Sequence, residues 1–287
     1  MRVLSLFIFF NTLVFCNVLF AQQYDSSPTS YNNQDSILFF EKVKELKDYR
    51  GERMSQLLVR IGRSFIGYPY VAKTLDKSNN ESLVVNLREF DCTTFVETCF
   101  AFSLTLKSGD ITYVNYKHFL KEIRYREGRI ENYNSRLHYF SEWITDNQKK
   151  GLITDTTKYL GGIACQKQID FMSTHSGSYQ QLKNDSNLIP GIRKIEKEIS
   201  SRDYFYIPKE NITSIEPSLE EGMIIAIISG INGLDIAHTG MLVRENGMIH
   251  LLHASSTTGK VVISEKTFQE YLMGNKLQTG VMLLKVK

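Results

Sequence analysis

Apolar residues along this chain change their spacing once. Through the N-terminal part they recur at intervals of three and four, the mark of helices with one inward face. Segments 36–47 and 53–65 read as two such helices separated near Gly51, with Met54, Leu57, Leu58, Ile61 and Phe65 on one stripe of the second. Gly67-Tyr68-Pro69-Tyr70 ends that helix, 73–81 is a polar loop, and 83–87 reads as a short strand. A third helix opens at Asp91-Cys92 and is apolar nearly all round (Phe95, Val96, Cys99, Phe100, Phe102, Leu104, Leu106), which predicts a buried element. Asp91 suits its N-cap and Gly109 its stop. Helices are also expected over 116–126 and 134–147, followed by a turn at Gly161-Gly162. From residue 221 onward Val, Ile, Leu and Met gather in short runs, 223–228, 237–244, 248–255, 260–263 and 279–285, which read as strands. Helices first and an antiparallel meander afterwards is an α+β order.

One turn in the meander sets a register. Asn246-Gly247 provides the two positive φ values of a tight hairpin, so Glu245 faces Met248, Gly240 faces His253 and His238 faces Ser255. Opposed residues share a face and side chains alternate along a strand. His238 and His253 therefore form a diagonal pair on one side of the sheet, while His250 points to the other.

The first 21 residues stand apart from the fold. Arg2 supplies a positive start, 3–20 is apolar but for Ser5, Asn11, Thr12 and Asn17, and Ala21 suits cleavage. The expectation is a signal peptide over 1–21 and export of the rest of the chain. A lipid anchor at Cys16 ranks lower, because Phe15 is bulky for the usual lipoprotein cleavage site. Residues 22–35 are polar and predict a disordered lead-in. The remainder, 36–287, reads as a single catalytic domain with a helical extension over 36–66 and an insertion over about 116–211. The formal charge of +3, or +2 without Arg2, gives no reason to propose nucleic acid as a partner. No second long apolar stretch exists, so no stable membrane span remains once the leader is removed. Of four cysteines, Cys16 lies in the leader, leaving Cys92, Cys99 and Cys165. An odd count leaves at least one thiol free, and Cys92 and Cys99 sit two helical turns apart, too far along the axis to bridge.

Cys92 falls in the first turn of the buried helix, where unpaired N–H groups and the helix dipole favour a thiolate. The plainer alternative is a small core cysteine. With two imidazoles on one sheet face, three readings compete: a Cys92-His238-His253 relay, a pair of hydrogen-bonded sheet histidines, and a zinc site on the same residues. The zinc reading lacks any closely spaced ligand pair. Asp91 is better spent as a cap than as a base. Glu97, inside an apolar helix, requires a buried partner. Tyr125, Arg129, Tyr133, Arg136, His138, Tyr139 and Trp143 are dense enough to suit a sugar- or peptide-binding groove, although core packing explains any one of them.

The motifs resemble the NlpC-type cell-wall cysteine peptidases. Asp91-Cys92 opens a buried helix, His238-Thr239-Gly240-Met241 lies on one strand and His253-Ala254-Ser255 on the next. Gly67-Tyr68-Pro69-Tyr70, Phe90-Asp91-Cys92-Thr93-Thr94-Phe95-Val96-Glu97, Ser135-Arg136-Leu137-His138-Tyr139-Phe140, Phe171-Met172-Ser173 and Leu234-Asp235-Ile236-Ala237-His238 resemble one branch, the N-acetylmuramoyl-L-alanine amidase-like family. Met223 departs from the aspartate expected after Gly222. The resemblance implies a reduced papain-like α+β fold, with the nucleophile at a helix N-terminus packed on an antiparallel sheet and a large helical insertion. It implies cleavage of the amide between N-acetylmuramic acid and L-alanine in soluble muropeptides, with no cofactor or metal. Cys92 would be the nucleophile, His238 the base, His253 its orienter, and Tyr70 a second oxyanion donor. Arg136, Tyr139, Ser173 and His175 would meet the substrate. The alternatives are γ-D-glutamyl-diaminopimelate endopeptidase action and non-catalytic peptidoglycan binding. Nothing in the sequence selects an oligomeric state.

Overall fold

A buried helix laid across an antiparallel sheet forms the centre of the chain, whose computed structural model describes residues 29–287. The expected signal peptide and the first part of the lead-in lie outside the described residues. Helices α1 (Asn33–Leu46), α2 (Met54–Ser64), α3 (Cys92–Ser108), α4 (Tyr113–Arg124) and α5 (Phe140–Lys149) precede most of the sheet. The strands are β1 (Thr29–Ser30), β2 (Leu83–Val84), β3 (Ile153–Asp155), β4 (Ile163–Cys165), β5 (Tyr204–Pro208), β6 (Ile224–Ser229), β7 (Ile236–Glu245), β8 (Met248–Ser255), β9 (Lys260–Ile263) and β10 (Gln278–Val286). The main sheet runs β4-β5-β10-β6-β7-β8-β9, with β3 also on β10, and every pairing in it is antiparallel. The mixed α+β order expected from the spacing is the one observed.

The limits of α3 follow from local chemistry. The Asp91 carboxylate accepts from Thr94 N–H at 2.8 Å, and Asp91 N–H donates to the Thr94 hydroxyl at 2.9 Å. Gly109, at φ 80°, closes the other end in the left-handed region. Strand alternation then separates two cores. Ala226, Met241, Val243, Leu252 and Ala254 meet Phe95 and Phe100 of α3, while Ile225, Ile227, Leu242, Leu251 and Leu283 meet Phe268 and Leu272 on the opposite face. Gly62 lets α2 approach the sheet, since a Cβ there would sit 2.7 Å from the Met241 methyl. At the hairpin, Asn246 and Gly247 take φ of 51° and 85°, and pairing runs from Glu245↔Met248 to Met241↔Leu252 in the register the turn predicts.

Four features differ from expectation. The lead-in is ordered from Thr29: Thr29–Ser30 pairs with Leu83–Val84, and Asn32 and Asp35 form a capping box for α1. Fully buried Asp35 accepts from Leu87 N–H at 2.9 Å and pairs with Arg88 at 3.0 Å, so partners distant in sequence order a segment whose composition reads as loose. The strand expected over 83–87 keeps only Leu83–Val84. The helix expected from residue 134 starts at Phe140, after a single 3-10 turn. Helix Ile189–Ser200 is absent from the expected elements, although Ile189, Ile192, Ile195 and Ile199 fall at helical spacing. That stripe joins Tyr133, Tyr139, Ile169 and Met172 in a small core of the insertion's own. Cys92, Cys99 and Cys165 are all free thiols, and no helix among the described residues is long and apolar enough to cross a membrane.

The partner Glu97 required is Arg124 of α4, at 2.7 Å with both side chains buried, and Arg124 also donates to the Val84 carbonyl at 2.6 Å. Breaking such a pair strands a charge, whereas replacing both members with apolar residues does not. Arg124→Ala is expected to lower unfolding free energy by about 3–5 kcal/mol in urea denaturation. The double change Glu97→Leu with Arg124→Met is expected to recover most of that loss.

Candidate active site

The N-terminus of α3 meets the sheet where the β7–β8 pairing ends. Beyond Met241↔Leu252 the backbone of Thr239 comes close enough to the Cys92 sulfur to favour its thiolate, as do the backbone and side chain of Thr93. The nucleophile candidate therefore contacts the residue immediately after His238. Phe90 N–H donates to Pro69 O at 3.0 Å and Val71 N–H to Phe90 O at 2.9 Å. This stitch sets Tyr70 beside the same helix start. Burial, with smaller contributions from Cys92 and Asp91, pushes the Tyr70 hydroxyl up to about 12, so it remains a donor.

His238 Nε2 and His253 Nδ1 are 2.6 Å apart, with their rings at 86°. One nitrogen donates to the other, and Nδ1 is the His238 nitrogen left available to a thiol. The diagonal pairing expected from the hairpin is thus what the structure contains. Among the described residues no group of three or more His, Cys, Asp or Glu side chains is placed to hold a metal ion.

The charge state differs from the expectation for a helix N-terminus. Burial, followed by the Asp91 carboxylate, pushes the Cys92 thiol up to about 12, and the polar groups of Thr239 and Thr93 beside it offset only part of that. Burial lowers His238 to about 4; burial and then the His238 charge lower His253 to about 3. At neutral pH the resting site holds a protonated thiol and two neutral imidazoles. Desolvation outweighs the helix terminus here, so the thiol is not ionised at rest as the sequence suggested.

Tyr271 is a site residue that sequence reasoning missed. Its ring lies 5.4 Å from His253 and 6.4 Å from His238. It sits on a short helix, Phe268–Met273, opened by a capping box between Thr267 and Glu270. That Ser/Thr-x-x-Glu spacing before apolar residues was the available signal.

A cavity of about 180 Å³ opens next to the start of α3, with Asp91 and Thr93 on one wall and Asp76, Arg136, Tyr139 and Tyr179 among the others; Cys92, His238 and His253 are not in its lining. Arg136 is only 5% exposed; it pairs with Asp76 at 2.6 Å and Glu81 at 3.6 Å and lies over the Tyr133 ring. It acts as a fixed wall. The Tyr139 hydroxyl donates to Glu196 at 2.7 Å and accepts from Met172 N–H at 2.9 Å. Ser173 and His175 do not line this cavity. The Ser173 hydroxyl turns to the Asp170 carbonyl, and His175 stacks on Phe171 with ring centroids 4.3 Å apart. A larger hollow of about 500 Å³, lined by Glu52, Arg60 and Arg63 among others, contains neither cysteine nor histidine and is not the reacting centre.

The AmiA-like, N-acetylmuramoyl-L-alanine amidase-like family model matches residues 60–281. The fold is similar to an N-acetylmuramoyl-L-alanine amidase from Bacteroides uniformis, with TM-score 0.78 and 36% identity over 82% of this chain and 99% of that one. It is also similar to a Bacteroides fragilis protein provisionally named a xylanase, with TM-score 0.73 and 36% identity over 78% and 99% of the two chains. A Legionella pneumophila protein shares the fold alone, at TM-score 0.65 and 21% identity over 89% and 94%. No curated protein sequence matches the chain.

Because only the thiolate is alkylated, the neutral resting state has a direct readout. Iodoacetamide labelling of Cys92, followed by mass spectrometry, is expected to be slow at neutral pH and to keep rising past the ordinary thiol value of about 8.5. A rate that is already level below neutrality would reveal a preformed thiolate–imidazolium pair. In the same protein, the ring signals of His238 and His253 are expected to stay those of neutral imidazole until pH falls to about 4.

Proposed function

The chain belongs to the AmiA-like, N-acetylmuramoyl-L-alanine amidase-like family, and on that footing we propose that it is a cysteine amidase. Its substrate is a soluble muropeptide, cut at the amide between the lactyl group of N-acetylmuramic acid and L-alanine. The fold is read as reduced papain-like, of the NlpC type, and the leader-like 1–21 assigns the reaction to the periplasm. The observation that carries this reading is the hydrogen-bonded His238–His253 pair at 2.6 Å, with the Cys92 sulfur close to the backbone of Thr239, the residue next to His238.

The chemistry starts from neutral groups. As Cys92 Sγ bonds to the lactyl carbonyl carbon, its proton passes to His238 Nδ1 and the carbonyl π pair moves onto oxygen. Thiolate character and imidazolium charge arise together and offset one another in a low-dielectric site. The oxyanion accepts from the Cys92 backbone N–H and the Tyr70 hydroxyl. His238 then gives its proton to the alanine nitrogen, the C–N bond breaks, and the peptide leaves as an amine. Water, deprotonated by His238, attacks the thioester and releases the muramic carboxylate together with the restored thiol. His253 holds the His238 ring in one tautomer throughout.

Glycoside cleavage fits less well. It needs two free carboxyl groups flanking the bond, and the three at the cleft are occupied. Asp76 is held by Arg136 at 2.6 Å, Glu97 by Arg124 at 2.7 Å, and Asp91 by the first turn of α3.

Incubating a defined muropeptide with the protein and weighing the products tests the assignment. Free disaccharide together with the intact stem peptide is expected. A sugar-linked dipeptide would move the cut to the endopeptidase bond. Cys92→Ala is expected to abolish turnover, and His238→Ala to reduce it by about 10²–10⁴-fold. Unchanged turnover in Cys92→Ala would refute the cysteine mechanism.

A further inference from the structure

A second hollow, of about 590 Å³, adjoins the cavity beside Asp91 and Thr93 and shares Lys73 and Asp76 with it. One wall is the loop after Tyr70, carrying Lys73, Asp76 and Lys77; the other is the segment 177–184. Three side-chain bonds tie these walls together. Lys73 Nζ donates to the Ser178 carbonyl at 3.3 Å, Gln181 Nε2 to the Ser78 carbonyl at 3.1 Å, and Asn184 Nδ2 to Asn79 Oδ1 at 2.8 Å. They join positions 103 to 105 residues apart in sequence. The hollow is therefore a built surface.

Its charges do not cancel. Asp76 is committed to Arg136 at 2.6 Å, and Lys77 to Glu89 at 3.1 Å. Lys73 meets only a carbonyl, and exposed Lys183 has no anionic partner among the described residues. Lys73 also adopts φ 60°, a backbone region uncommon for a residue with a long side chain, and the loop sustains it at the junction of the two hollows. Two uncompensated ammonium groups face one groove, and carboxylates are their chemical complement. If the substrate is the muropeptide proposed above, the carboxylates come from its peptide, because the disaccharide carries no charge.

We propose that this hollow is the subsite for the carboxylates of an acidic peptide, with Lys73 and Lys183 as its recognition residues. The peptide runs from Cys92 past Asp91 and Thr93 to Lys73, and its free carboxylates lie between the two lysines. Only the source of the carboxylates rests on the amidase reading; the cationic groove does not.

Calorimetry with a stem tetrapeptide, either with free carboxylates or fully amidated, tests this without requiring turnover. Wild-type protein is expected to bind the free acid about tenfold or more tightly than the amide, a gap that narrows as salt is raised. The double variant Lys73→Gln with Lys183→Gln is expected to lose that preference, and Lys73→Arg to keep it. With the intact muropeptide, the double variant should raise KM by about tenfold and leave kcat unchanged. Equal binding of acid and amide by wild-type protein, or a KM unmoved by the double substitution, overturns the subsite. A wild-type protein that prefers the acid but leaves the lactyl amide uncut supports the subsite and refutes the amidase reading instead.

Discussion

The packing of α3 on the sheet, Phe95 and Phe100 against Met241 and Leu252, all fully buried, brings the Cys92 sulfur against the backbone of Thr239. On one side stands a helix start fixed by Asp91 and Thr94; on the other is a strand whose pairing with β8 has just ended. Closeness to the backbone of residue 239 sets the sulfur next to His238. Non-directional burial brings the elements together, and the caps and turns that end them aim the reacting groups.

Burial imposes a second condition. Removing Cys92, His238 and His253 from water disfavours every charged form, so the site rests neutral even though a helix terminus points at the sulfur. A protonated thiol reacts slowly with oxidants and alkylators. Charge has to be created with the substrate present, when sulfur, imidazole and oxyanion donors compensate each other. Tyr70 and Tyr271 both stand near Cys92, and burial raises both hydroxyls so that they stay protonated.

The insertion shapes the cleft. Its own core, around Tyr133, Tyr139, Met172 and Ile199, holds the far wall, and the Tyr139–Glu196 bond locks two of its segments together. Arg136, pinned by Asp76 and Glu81, links that wall to the loop after Tyr70. Residues that look like free recognition groups in the sequence are thus spent on architecture. The charge left over for a ligand falls to lysines that no local pattern singles out.

What the chain alone determined was whatever depends on neighbours in sequence. The limits of α3 follow from Asp91, Thr94 and Gly109, and the register that aligns His238 with His253 follows from Asn246-Gly247, because caps and tight turns are closed by residues a few positions apart. The requirement that Glu97 be paired was also legible, although the identity of Arg124 was not. Only the tertiary structure decided which segments find distant partners and how much water reaches them. It ordered Thr29 to Asp35 through Leu83, Leu87 and Arg88, placed Tyr271 against the imidazoles, and turned Ser173 and His175 away from the cleft. It also reversed the expected ionisation of Cys92. The dipole and N–H groups of a helix start are local and can be read in one dimension; desolvation sums over everything packed around a group, and that sum exists only once the chain has folded.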